Sequence, residues 1–171
     1  MGSGIAAHLA NLGFKVFLLD VNYETARRGL DRATTIKPPH FGATEVAQSV
    51  QCGGIDQNLD WIAEADWVCE AIVERAEPKR ELYALIEPLI GRDALISTNT
   101  SGLEIGLLAQ GFSPEFRRKF LGTHFFNPPR YLKLIELIPT HDTDPDVVRA
   151  MTEMLEELAG RRVVVAKDTP G

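Results

Sequence analysis

Cysteine is scarce in this 171-residue chain: Cys52, beside Gly53-Gly54, and Cys69, inside an apolar run, are the two present. Two thiols so placed make neither a disulfide framework nor a metal-ligand pattern, and they fit the reducing cytoplasm. Long apolar runs are lacking too. No stretch approaches the roughly 20 residues a membrane helix needs, and no basic segment leads into an apolar one at the N-terminus, so neither membrane insertion nor export is expected. Excess positive charge is also missing. The formal charge is −6 and the pI near 5.2, with basic residues gathered in no more than short clusters such as Arg27-Arg28, Arg117-Arg118-Lys119 and Arg161-Arg162, which read as solvated faces. That balance argues against nucleic acid as a partner. What is present is about one domain's length, with the apolar (44%) and charged (25%) fractions of a globular protein and enough chain for a sizeable core.

There is no internal repeat, low-complexity tract or long linker, and helical and strand-like patterns alternate, which predicts an α/β fold with a mainly parallel sheet. Ile5, Leu9 and Leu12 repeat at helical spacing up to Gly13, a suitable residue to follow a helix. The continuous apolar run Lys15 to Asp20 has no alternation, as in a strand buried on both faces. Tyr23 to Val50 reads as mainly helical with a break near Pro38-Pro39, and 53–56 as a short strand. Trp67 to Val73 is the next strand. A helix is expected from Pro78, with Leu82, Leu85, Ile86, Leu89 and Ile90 on its buried face, until Gly91. Ala94 to Ser97 is a further strand, 105–116 a short helical region, and Phe120 to Phe126 and Leu132 to Ile138 are two more strands. Asp144-Pro145 then starts a helix that ends at Gly160, and Arg162 to Ala166 forms the last strand.

Two polar residues stand inside those apolar strands, His124 and, twelve positions on, Glu136. An unpartnered polar side chain there is costly, and Asn127-Pro128-Pro129-Arg130 can turn the chain between them, so the two can meet across neighbouring strands. A histidine oriented by a carboxylate is a general acid or base. The plainer alternative is a buried histidine satisfied by a backbone carbonyl, with Glu136 an unrelated surface acid. His8, His40 and His141 have no evident partner and read as surface residues.

Gly2-Ser3-Gly4 opens the first helix directly, and the following strand ends in an acid, Asp20, eighteen residues after Gly2. That is the layout of the later half of a dinucleotide-binding unit. A glycine lets helix and strand pack closely, the helix N-terminus faces a pyrophosphate, and the acid takes ribose hydroxyls. The strand and two glycines that precede such a helix are not in the sequence, so Met1 reads as an internal residue of the loop.

Met1 to Ala6, Leu18-Leu19-Asp20, Glu70 to Glu74, Ser97 to Ser101, Gly122 to Pro128 and Lys167 to Gly171 together resemble the NAD-binding domain of the 3-hydroxyacyl-CoA dehydrogenases, over nearly the whole length. Asn127-Pro128-Pro129-Arg130-Tyr131-Leu132-Lys133 is more similar to the long proteins that fuse this dehydrogenase to an enoyl-CoA hydratase. The resemblance implies a Rossmann-type, doubly wound, mainly parallel sheet lacking its first strand and the first two glycines of its loop. Residues 1–171 would then be one NAD-binding domain, incomplete at the N-terminus and without the family's helical C-terminal domain. The implied activity is NAD-dependent oxidation of the 3-hydroxyl of an L-3-hydroxyacyl-CoA in fatty-acid β-oxidation, with NAD as cofactor and acyl-CoA as substrate. The chain alone is expected to be inactive, and the complete protein a homo-oligomer or part of a larger multidomain chain.

By the same resemblance, His124 is the catalytic base, Glu136 holds its tautomer, and Ser101 hydrogen-bonds the substrate oxygen near the nicotinamide ribose. Asn127 and Asn99 lie at the nicotinamide end, Gly2 and Asp20 at the pyrophosphate and adenosine ribose, and Glu74 and Lys79 along the cofactor groove. A family Glu-Asn pair reads Glu74-Arg75 here. The residues alone leave Asn99 and Ser101 as helix caps and Lys79 as a solvated lysine. Arg27, Arg28, Arg32 and Lys37 could meet the phosphates of coenzyme A or simply be solvated. The competing reading is a non-catalytic truncated nucleotide-binding or assembly module.

Overall fold

The computed structural model describes residues 1–169, so Pro170 and Gly171, the end of the Lys167 to Gly171 motif, lie outside the described residues. The elements alternate as the sequence predicts: α1 (Gly2–Asn11), β1 (Phe17–Asp20), α2 (Tyr23–Thr35), α3 (Thr44–Ser49), β2 (Gln51–Gly54), α4 (Ile55–Asn58), β3 (Trp67–Glu70), α5 (Ala76–Ile86), β4 (Leu95–Thr98), α6 (Ile105–Ala109), α7 (Pro114–Lys119), β5 (Phe120–Phe125), β6 (Leu134–Pro139), α8 (Pro145–Glu153) and β7 (Arg162–Val165). Two compact units result, one of Met1–Trp61 with Phe126–Lys133, the other of Ile62–Phe125 with the chain from Leu134 on. No helix among the described residues is long and apolar enough to cross a membrane.

In the first unit β1 and β2 form a parallel pair in which Asp20 stands opposite Gly54. Helices α1 and α2 pack by small residues, and Ala6, Ala7, Ala10, Leu30, Ala33, Phe41, Ala47 and Val50 share one core. Gly13 follows α1 at φ +88°, with its N–H on the Ala10 carbonyl and the Phe14 N–H on Leu9, the left-handed helix end that glycine adopts cheaply. Asn22 caps α2 by accepting the Thr25 N–H at 2.9 Å. The strand expected over 53–56 is instead β2, and Asp56 belongs to the helical turn after it. Both glycines are in the strand because a Cβ on Gly53 would lie 2.8 Å from Leu19 and Trp61, and one on Gly54 2.9 Å from the backbone of Asn22 and Tyr23.

The second unit is a five-stranded sheet in the order β3-β4-β5-β6-β7, parallel except where β5 meets β6. Its core holds Tyr83, Ile86, Ile96, Phe120, Leu121, Phe125, Ile135, Leu137, Met151 and Leu155. Tyr83, Phe112, Phe116 and Phe120 form a ring cluster with centroids 4.9 to 6.0 Å apart. Asp144 caps α8 by accepting the Asp146 N–H, as its place before Pro145 predicts.

Several expectations need correction here. Helix α5 starts at Ala76, two residues before Pro78, and its buried face is Lys79, Tyr83 and Ile86, whereas Leu85 is exposed. Of the expected face Ile86 is buried, and the rest of the buried stripe falls on Lys79 and Tyr83 because a buried lysine anchors it. His8 and His40 are buried rather than superficial, unlike His141. His40 faces Gly4, where a Cβ would be 3.2 Å from the imidazole, and burial, with Arg130 adding to it, holds its pKa below the usual histidine value. Arg161 is also buried, its guanidinium 5.8 Å from the Phe125 ring centroid, so that basic cluster is only partly a solvated face.

Candidate active site

The antiparallel pairing of β5 with β6 sets His124 directly opposite Glu136. Cross-strand partners project to the same face, so the register itself brings imidazole to carboxylate. The His124 Nδ1 to Glu136 Oε2 distance is 2.8 Å, with the side chains 21% and 36% exposed. The dyad is therefore half-buried yet reachable. The alternative of an unrelated surface acid is excluded. A carboxylate on Nδ1 selects the tautomer or the imidazolium in which that nitrogen carries hydrogen.

The strands behind the dyad are held by polar contacts that sequence reading did not single out. Glu70, 4% exposed at the end of β3, accepts four hydrogen bonds: Lys79 Nζ at 2.7 Å and the Ile72 N–H at 2.6 Å on Oε1, the Tyr83 hydroxyl at 2.7 Å and the Thr98 hydroxyl at 2.6 Å on Oε2. Burial and the facing carboxylate push the Tyr83 phenol pKa far up, so it remains a donor. Lys79 is thus not solvated. It is 1% exposed, with Glu74 as a second acid at 3.6 Å. The signal was available: an acid within an apolar strand demands partners, the reasoning that found His124 and Glu136. Beside this cluster Ser97 accepts from Trp67 Nε1 at 2.9 Å and from the Thr123 hydroxyl at 2.7 Å. Cys69 lies against Thr123, and burial raises its thiol pKa to about 11. A thiol so held is unreactive.

Asn99 and Ser101 follow β4, and neither caps α6. Asn99 receives the Phe125 N–H on Oδ1 at 2.9 Å while its own N–H donates to the Glu70 carbonyl at 2.8 Å, tying β3 and β4 to the residue after His124. Ser101 is exposed on a turn organised by Glu74, whose Oε1 accepts the Thr100 hydroxyl at 2.5 Å and the N–H groups of Ser101 and Gly102 at 2.8 and 3.0 Å. Burial opposes ionisation of Glu74, but these bonds and Lys79 outweigh it and lower its pKa. His124, Glu136, Asn99, Ser101, Glu74 and Lys79 all belong to the second unit.

Gly2, Asp20 and Asn127 belong to the first. Gly2 is the first residue of α1, whose N-terminus has neither a side-chain cap nor an acid in its first turn. Asp20 ends β1, half-buried, with Oδ1 accepting the Val21 N–H at 2.8 Å. At Gly4 a Cβ would stand 3.2 Å from both His40 and Pro129, so the helix start tolerates no larger residue without movement. An uncapped N-terminus suits a pyrophosphate and a strand-end carboxylate suits a ribose diol. Asn127 is exposed in the segment 126–133, where Arg130 Nη1 donates to the carbonyls of Pro39 (3.1 Å) and Phe41 (2.6 Å).

The family model for the 3-hydroxyacyl-CoA dehydrogenase NAD-binding domain matches residues 1–169. A probable 3-hydroxyacyl-CoA dehydrogenase of Deinococcus radiodurans is 42% identical over 179 residues, covering 100% of this chain and 51% of that protein. A putative fatty acid oxidation complex trifunctional enzyme of Rickettsia felis is 36% identical over 181 residues, covering 100% of this chain and 25% of that protein. The crystal structure of the 3-hydroxybutyryl-CoA dehydrogenase of Escherichia coli superposes with a TM-score of 0.84 at 30% identity, over 100% of this chain and 37% of that one. The chain thus spans about half of the first relative and about a quarter of the second.

Proposed function

Because the chain belongs to the NAD-binding-domain family of the 3-hydroxyacyl-CoA dehydrogenases, we propose that it is the nucleotide-binding and proton-transferring part of an NAD-dependent L-3-hydroxyacyl-CoA dehydrogenase of fatty-acid β-oxidation. The observation that carries this reading is the His124 to Glu136 contact of 2.8 Å, set by strand register. With Nδ1 directed at Glu136, Nε2 takes the proton of the substrate 3-hydroxyl, and Glu136 stabilises the imidazolium that forms. Ser101 donates to the same oxygen, and Asn127 and Asn99 order the nicotinamide end. NAD, when bound, supplies the acceptor for the hydride leaving C3. Asp20 takes the adenosine ribose and Gly2 admits the pyrophosphate to the start of α1. Glu74 borders the groove, and Lys79, too buried to touch a ligand, serves it by neutralising Glu70 and Glu74. The acyl-CoA substrate, a cytoplasmic setting and action within a longer, oligomeric protein complete the proposal.

The test is oxidation of NADH with acetoacetyl-CoA by the protein at its natural length. His124→Gln should lower kcat by about 10²–10⁴-fold, with NADH affinity close to unchanged. Glu136→Gln should lose less and shift the pH optimum. Wild-type rates in the His124 variant sink the mechanism, and an inactive parent protein favours a non-catalytic nucleotide-binding module instead.

A further inference from the structure

The turn that carries Ser101 is tied at both ends by carboxylates from distant parts of the chain. Glu74 holds its beginning, as described. Its end runs into α6, a helix of five residues whose N-cap, Glu104, provides no side-chain cap. First-turn amides of a helix need acceptors from elsewhere. Asp168 supplies two of them: Oδ1 accepts the Ile105 N–H at 2.8 Å and Oδ2 the Gly106 N–H at 2.7 Å. Ile105 is 1% exposed, so water is a poor substitute there. The fit is close, since a Cβ on Gly106 would lie 3.2 Å from Asp168 Oδ2. The far end of α6 is held by Arg80, whose Nη1 donates to the carbonyls of Leu107 and Leu108 at 3.0 Å. Asp168 itself stands just past β7, where the Ala166 N–H bonds the Leu137 carbonyl, adjacent in sequence to Glu136.

We infer that Asp168 is a positioning residue: by capping α6 it fixes the Ser101 turn relative to the strand that bears Glu136, and so aims the Ser101 hydroxyl at the substrate oxygen. The inference rests on the reading of Ser101 as the donor to that oxygen. It follows from two charge-assisted hydrogen bonds accepted from adjacent amides, which together constrain a turn in both position and direction.

The test uses the protein at its natural length, assayed with acetoacetyl-CoA and NADH. Asp168→Asn puts an amide donor against one of the two N–H groups and should lower kcat by about tenfold, with NADH affinity within about twofold of the parent. In a Ser101→Ala background the same change should alter kcat by less than about twofold, because residues acting as a unit are not additive. Gly106→Ala, which displaces the carboxylate without removing it, should act in the same direction and carries the test if Asp168→Asn does not fold. An equal fall in kcat with and without Ser101, or no fall at all, overturns the inference. Amide hydrogen exchange separates it from the functional reading, since it needs no substrate. Exchange of residues 100–106 should quicken in either variant while β5 and β6 keep parental protection, and unchanged protection of 100–106 also overturns it. A parent protein inactive on acetoacetyl-CoA would count against the proposed reaction, with the exchange result still deciding whether Asp168 holds the turn.

Discussion

Replacing Lys79 with methionine removes one charge from a pair in which both side chains are 1% exposed. Methionine keeps most of the unbranched stem, so packing changes little and the effect isolates the ammonium. Breaking a buried pair by removing one partner costs about 3–5 kcal/mol, because the other charge stays in a poorly polarisable site. Glu70 would retain the donors from Ile72, Tyr83 and Thr98, at 2.6, 2.7 and 2.6 Å, which places the cost near the lower bound, at about 3 kcal/mol. For a chain of this size that is a fall in Tm of about 6–12 °C. Urea denaturation followed by tryptophan fluorescence reads it directly, Trp67 being bonded to Ser97 on the neighbouring strand. Adding Glu70→Gln removes the stranded charge and should recover about 1 kcal/mol or more. A Lys79→Met protein within about 0.5 kcal/mol of the parent, the range of an exposed ion pair, would refute the reasoning, as would a double variant weaker than Lys79→Met alone.

Asp20 is a lone acceptor at its strand end, and Val21-Asn22-Tyr23 offers no arginine for a 2′-phosphate, so NADH should bind more tightly than NADPH and Asp20→Ala should narrow the difference. Tighter binding of NADPH by the unaltered protein contradicts this. Glu74 has a lowered folded-state pKa, so its contribution to stability is present above the unfolded value of about 4.3 and is lost as pH falls through the folded one. The urea midpoints of the parent and Glu74→Gln should therefore differ by a constant amount above about pH 5, draw together as pH falls below the unfolded value of about 4.3, and meet once it is below the folded-state pKa; a gap that never narrows at acid pH argues against the carboxylate clamp.

The dyad was legible in the sequence because two polar residues in apolar strands must be satisfied, and a turn-forming segment between them allows an antiparallel return. The alternation of elements was legible for a similar reason, since period and punctuation are local. The boundary of β2 was not: whether Gly53 and Gly54 begin a strand or end one depends on Trp61 and Asn22 packing against them. Lys79 misled the reading of α5 because a lysine counts as solvated until the acid that buries it is placed. Asp168 stood within a motif of the resemblance, but its capping role was not legible, its amide partners being 62 and 63 residues away.

The pairing of His124 with Glu136 belongs to the strands, whereas the segment joining those strands packs with the other unit. Side chains alternate faces along a strand, so a one-residue shift of β6 against β5 would turn Glu136 away from the imidazole. A change of length between Phe126 and Lys133 carries no such parity penalty, because the ladder from Phe125 to Leu121 can hold its register whatever the connection does. The register that pairs His124 with Glu136 and the length of the connecting loop are therefore set separately. The cross-strand contact can stay constant while the residues after Asn127 are rewritten, provided Asn127 itself, proposed to order the nicotinamide end, is kept.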